Sequence, residues 1–128
     1  MIVKLNWPNK ILSSNARGAS KSAALAKAVM TRWHRQAAFV EVKSRLRRNG
    51  PLDLPARGDI PITIIFSAPS FRFDRQNMPG LCKSYVDGIA DALGVNDRRF
   101  LPHYVYAKPT PPWGSVTIEI TSAEARAA

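Results

Sequence analysis

The chain holds a single cysteine, Cys82, in 128 residues. A lone thiol closes no internal disulfide, so a disulfide-stapled secreted scaffold is excluded and a reducing cytoplasm is the expected setting. No histidine lies near Cys82 in sequence, so it reads as a small core residue rather than a nucleophile. Histidine is scarce too. His34 has no metal-ligand partner three or four residues on, and it reads as a surface residue. No apolar run approaches the roughly 18 residues of a membrane helix, and no signal-peptide pattern opens the chain. The scarcest commodity is negative charge. Nine acidic residues face nineteen basic ones, for a net charge of +10 and a pI near 10.5. Such an excess on one small domain calls for a polyanionic partner, of which nucleic acid is the usual one. A membrane-surface protein would instead want a long helix with one strongly apolar face and no cluster of acids.

Against that deficit, four of the nine acids fall between Arg72 and Phe100: Asp74, Asp87, Asp91 and Asp97. A basic protein gathers carboxylates where something cationic sits among them. The local pattern predicts a helix with Asn77 as N-cap, Pro79 in its first turn and Gly94 as its stop. Lys83, Asp87 and Asp91 recur every four residues as a polar stripe, beside an apolar stripe of Leu81, Tyr85, Ile89 and Leu93. Asp74 enters this helix and Asp97 leaves it. The plainer reading stays open here: Lys83 and Asp87 as a surface ion pair worth a few tenths of a kcal/mol, Asp74 and Asp97 as turn residues.

The rest of the chain supplies a frame. Met1 to Trp7 reads as a short strand ended by Pro8. Asn9 to Gly18 is a loop with two cations, Lys10 and Arg17, able to approach phosphates or simply to connect strand to helix. From Ser20 to about Arg48 one helical face carries Leu25, Val29, Trp33, Ala37 and Val40, with basic residues around it and Asn49-Gly50-Pro51 to stop it. Ile60 to Ala68 is β-branched and apolar, so a central strand is expected. It hands the chain to Phe71-Arg72-Phe73-Asp74. His103 to Lys108 reads as a third strand, Pro109 to Gly114 as a turn, and Ser115 to Thr121 as a fourth strand. The order is β-α-β-α-β-β, an α/β (α+β) fold: a small mixed sheet with two helices, in one domain over residues 1–121 with a loose tail at 122–128.

These residues together resemble the RusA family of Holliday-junction resolvases, found mainly in bacteria, phages and prophages. The likeness begins at Trp7-Pro8 and the Leu12-Ser13-Ser14-Asn15-Ala16-Arg17 loop. It centres on an Asp-x-Asp-Asn pattern, then a Lys, then Asp-Gly, then a closing acidic pair. Here these positions read Asp74-Arg75-Gln76-Asn77, Lys83, Asp87-Gly88 and Asn96-Asp97, and the likeness runs on through Lys108 to Ile120. The resemblance implies a homodimeric, Mg²⁺-dependent endodeoxyribonuclease (Mn²⁺ as possible substitute) that cuts four-way DNA junctions symmetrically. It implies Asp74, Asp97 and Lys83 as catalytic residues. Asp74, Gln76 and Asp97 take the metal-ligand positions, with Asn77, Asp87 and Asp91 as supporting groups. Phosphate contacts are expected from Lys10, Asn15, Arg17, Arg72, Arg75, Arg98 and Arg99.

Two positions depart from the family pattern. Gln76 stands where a second aspartate is usual, and Asn96 where the closing pair has its first acid. An amide oxygen at Gln76 keeps the shape of a ligand but removes one negative charge from a site that must hold a divalent cation. Two outcomes follow: metal-dependent cleavage of branched DNA, or binding of junctions without cutting. An interaction protein whose charge serves only solubility is a third class.

Overall fold

The computed structural model describes residues 1–13 and 20–122. Asn15, Arg17 and the tail beyond residue 122 lie outside the described residues. Four strands form one sheet: β1 (Ile2–Asn6), β2 (Ile60–Ser67), β3 (Phe100–Tyr106) and β4 (Ser115–Ile120). Three helices cover it: α1 (Lys21–Asn49), the single turn α2 (Met78–Leu81), and α3 (Lys83–Leu93). The last two follow one another with a break at Cys82, so the expected β-α-β-α-β-β order holds. Strand order across the sheet is β1-β4-β2-β3. β2 and β3 run parallel, with Ile60 beside Phe100 and Phe66 beside Tyr106, while β4 is antiparallel to both β1 and β2. The sheet is therefore mixed, and β2 lies inside it, as its β-branched run requires. β3 starts three residues earlier than its sequence suggests. Phe100 is buried and anchors that start against Ile60.

Alternation along the strands puts one face in the core. Val3 and Leu5 of β1, Val116, Ile118 and Ile120 of β4, and Ile60, Ile62, Ile64 and Phe66 of β2 are all buried. The helices lie on this face. Tyr85, Ile89, Ala90 and Ala92 of α3 pack down onto it with Cys82, whose thiol is pushed up to about 12 by burial. A thiol so placed is core filling, as read from sequence. Gly94 ends α3 in the left-handed conformation (φ 69°), its N–H donating back toward Ala90 and Asp91. The start differs from expectation. Asn77 makes no side-chain cap; instead Asp74 caps a tight 3₁₀ turn, Arg75–Asn77, that runs directly into α2.

α1 also departs from its periodicity. Leu25, Trp33 and Val40, expected to face the core, are 67%, 63% and 53% exposed, while Ala38 and Val42 are buried. The close approach to α3 selects this face. A β-carbon at Gly88 would collide with the backbone carbonyl of Arg35 and stand 3.1 Å from Ala38 Cβ, so only glycine lets the two helix backbones meet there. A helix of 29 residues is about 43 Å long, against about 26 Å for the eight residues of β2. Its first turns, Lys21 to Ala28, are mostly exposed. Ser20 caps them by accepting from the Ala23 N–H at 3.1 Å.

His34 is half-buried, and both of its ring nitrogens are engaged. Its Nε2 accepts the Asn9 N–H at 3.1 Å, which leaves Nδ1 protonated and donating to the Met30 carbonyl at 2.7 Å. The ring lies 5.1 Å from that of Tyr85, whose hydroxyl donates to the Asn6 carbonyl at 2.8 Å. Together these tie the β1 exit and the Lys10–Leu12 turn to both helices.

Candidate functional site

The acidic stretch forms one compact group and several separate contacts. Lys83, at the first position of α3, donates to Asp87 Oδ1 at 3.1 Å and to Asp97 Oδ2 at 3.4 Å. The first contact follows from helical spacing. The second does not, since Asp97 reaches Lys83 only because the short turn Asp97–Arg99 folds back beside α3. The hydrogen bond that Lys83 donates to Asp87 and the charge of that carboxylate, then the bond it donates to Asp97, hold the ammonium above its ordinary pKa, so it stays cationic. Lys83 and Asp97 line a cavity of about 330 Å³ whose other wall is the helix-side face of β3, at Phe100, Pro102 and Tyr104.

Asp91 does not join them. Arg35 grips it with two parallel bonds, Nε to Oδ2 at 2.6 Å and Nη2 to Oδ1 at 2.9 Å. The bond from Arg35 lowers the Asp91 pKa. The polar stripe read from sequence is thus divided between a cluster on Lys83 and a clasp between α1 and α3.

Asp74 and Gln76 share a different turn. Asp74 Oδ1 accepts the Gln76 N–H at 2.9 Å, an Asx turn that fixes the carboxylate against its own backbone. Asn96 does the same for Arg98, at 2.9 Å. The turn of Asp97 leads directly into Phe100 at the start of β3; that of Asp74 lays Arg75 over the Tyr106 ring, 5.7 Å away, at its end. From Phe100 to Tyr106 the strand covers about 20 Å. Among the described residues, no hydrogen bond or ion pair joins Asp74 or Gln76 to Lys83, Asp87 or Asp97.

The cations expected to meet DNA are of two kinds. Lys10, Arg72, Arg75 and Arg98 are exposed. Arg99 is committed inward: Nε donates to the Gly58 carbonyl at 2.9 Å and Nη2 to that of Pro55, pinning the loop before β2. That geometry gives Arg99 a structural role. Sequence reasoning missed Arg35 and His34 as organisers, because their partners lie 56 and 25 residues away and no local spacing announces them.

No family model matches the sequence. A protein of Xylella fastidiosa (strain Temecula1 / ATCC 700964), described as an uncharacterized protein, is 36% identical over 125 residues. The match covers 91% of this chain and 73% of that protein. The chain belongs to that protein's family. The relative's name carries no reaction, so the chemistry is read from the residues.

The Mg²⁺ ion implied by the RusA resemblance asks for converging oxygen ligands. Among the described residues no three His, Cys, Asp or Glu side chains are grouped to hold a metal ion. Asp87 and Asp97 both face the Lys83 ammonium, and Asp74 serves its own turn. Among the described residues no helix is long and apolar enough to cross a membrane.

Proposed function

We propose that this protein is a RusA-like endodeoxyribonuclease acting on branched DNA, and that its active site is completed between two copies of the chain. The observation that supports this reading is that Asp97 with Lys83, and the Asp74–Gln76 turn, lie toward opposite ends of an edge strand. β3 has β2 on one side and, among the described residues, no strand on the other. The Ala107 N–H donates inward to the Phe66 carbonyl at 2.9 Å, so by alternation the backbone groups of Pro102, Tyr104 and Tyr106 point outward. Pro102 lacks an N–H and sits where none is needed. A second copy pairing antiparallel along this edge sets the Phe100 end of one strand beside the Tyr106 end of the other. Asp97 with Lys83 from one chain then meets Asp74 and Gln76 from its partner, on the same face of a continuous sheet. A twofold axis makes two such sites, as two symmetric cuts across a junction require.

In that assembly the carboxylates of Asp74 and Asp97 and the amide oxygen of Gln76 are the groups that would hold Mg²⁺ or Mn²⁺. Bound there, the ion would supply Lewis acidity toward the scissile phosphate. Lys83, kept cationic by its neighbours, offers positive charge to the phosphate oxygens as negative charge builds there. The exposed Lys10, Arg72, Arg75 and Arg98 supply phosphate contacts, so affinity falls steeply with salt.

The decisive experiment is mixing. Asp74→Asn and Asp97→Asn proteins are each expected to bind a labelled four-way junction without nicking it. Mixed and re-paired, they regenerate one intact site per dimer and recover nicking with Mg²⁺ or Mn²⁺. Failure to recover, with active wild-type protein, removes the shared site; no nicking by the wild type removes the enzyme reading. A Gln76→Asp variant is expected to cut faster, since it restores a charge at a metal position.

A second reading is favoured by one observation: Lys83 already engages both Asp87 and Asp97, offsetting one of their two charges. On it the protein binds junctions without hydrolysis, and Asp74→Asn changes no metal-dependent property.

A further inference from the structure

We infer that the shallow pocket at the far end of β2 and β3 receives an unpaired base of branched DNA, with Phe71 in its wall and Trp113 on the adjoining loop as stacking surfaces. The inference rests on the DNA-junction reading and concerns a pocket beside the Asp74–Gln76 turn, with Arg75 of that turn in its lining and the Lys83–Asp97 cluster away from it. Two loops meet there, one following β2 and one joining β3 to β4. The Thr110 N–H donates to the Ala68 carbonyl at 2.9 Å, and the Gly114 N–H to the Thr110 carbonyl at 2.9 Å. A β-carbon on Gly114 would stand 2.7 Å from the Pro69 ring, and its φ of 68° favours glycine as well. The loops are therefore packed together without a gap.

On this joined platform Phe71 and Trp113 are 81% and 82% exposed, more than any other large apolar side chain among the described residues. Two rings held in water on these hydrogen-bonded loops forgo burial that a folded domain ordinarily takes. The pocket that Phe71 enters holds about 180 Å³ and is also lined by Phe73, Tyr106, Ser70, Arg75 and Lys108, with Trp113 outside the lining on the loop that continues from Pro109. Arg75 is fixed over the Tyr106 ring, and Phe66 backs that ring at 5.5 Å, nearly parallel. Ring faces next to two cations and a hydroxyl match a base with its phosphate. A duplex hides its base faces in the stack, whereas a branch point offers unpaired ones, and stacking on aromatic side chains is indifferent to sequence. An acidic peptide would use the cations and leave the rings idle, and a lipid surface would want a broader apolar face.

The test uses a four-way junction carrying 2-aminopurine at the branch point, with matched duplex as control, in the absence of divalent metal so that cleavage plays no part. Phe71→Ala and Trp113→Ala are expected to lower junction affinity roughly tenfold each and to abolish the 2-aminopurine signal change, with duplex affinity unmoved. Phe71→Tyr and Trp113→Phe keep both. Both side chains face solvent, so thermal melts of the variants should match the wild type. Equal losses on junction and duplex, or no loss on either, overturn the pocket and leave the nuclease reading standing. A normal 2-aminopurine response from protein that never nicks with metal keeps the pocket and removes the nuclease. Absence of any DNA binding by the wild type removes both.

Discussion

α1 and α3 lie on the same face of the same sheet, yet their sequences inform very unequally. In α3 the large apolar residues gather on one side, and Tyr85 and Ile89 bury as their spacing requires. In α1 alanines, leucine, valines, methionine, tryptophan and phenylalanine are scattered round the helix, so several faces could serve. The face used is the one whose small residue, Ala38, lets the backbone settle onto Gly88. Periodicity fixes a helix; a contested choice of face is settled by what it packs against.

The sharpest way to break this contrast is to cut the α3 stripe. Ile89→Ala is expected to cost about 3 kcal/mol in chemical denaturation, as deletion of a fully buried branched side chain does. Gly88→Ala comes next, at about 2 kcal/mol, because the added methyl meets the backbone of Arg35 rather than a side chain that can swing away. Asp91→Asn should cost only about 0.5 kcal/mol at neutral pH, since both partners of the Arg35 clasp are well exposed. Its pH dependence has a definite sign. The folded-state pKa of Asp91 is lowered, chiefly by the hydrogen bond from Arg35. The clasp's contribution is therefore present above the ordinary carboxylate pKa and is lost as pH falls through the lowered folded value, where variant and wild type converge. Smallest of all is Leu25→Ala on the overhanging end of α1, within about 0.5 kcal/mol of wild type. A large loss there would mean that this stripe is buried in solution.

The candidate site divides along the same line. Lys83 and Asp87 at i,i+4 were legible, and their bond forms. That Asp97 closes on the same ammonium follows from the resemblance and the fold-back of a turn, not from spacing. Asp91 looked like the third member of a stripe, but a helix surface turns about 100° per residue. Eight residues on, its carboxylate meets Arg35 from α1 instead. Asn77 has the chemistry of an N-cap; Asp74, three residues earlier, captured the turn first. Arg99 read as a cation for phosphate because nothing local shows that the carbonyls of Pro55 and Gly58 lie within its reach. The Phe71 and Trp113 platform was equally hidden, since 42 residues separate rings that only the β2–β4 pairing brings to one end of the sheet.

By itself the sequence determined the elements and their order, the central place of β2, the burial of Cys82, the helix stop at Gly94 and the cationic balance. Each depends on neighbours within a turn or on alternation along a strand, so short-range chemistry suffices. Only the tertiary structure decided which face of α1 is covered, which carboxylates share Lys83, and that Asp74 and Asp97 belong to opposite ends of an unpaired strand edge. Those outcomes are set by contacts between residues far apart in the chain, whose energies exist only once the sheet and its helices have come together.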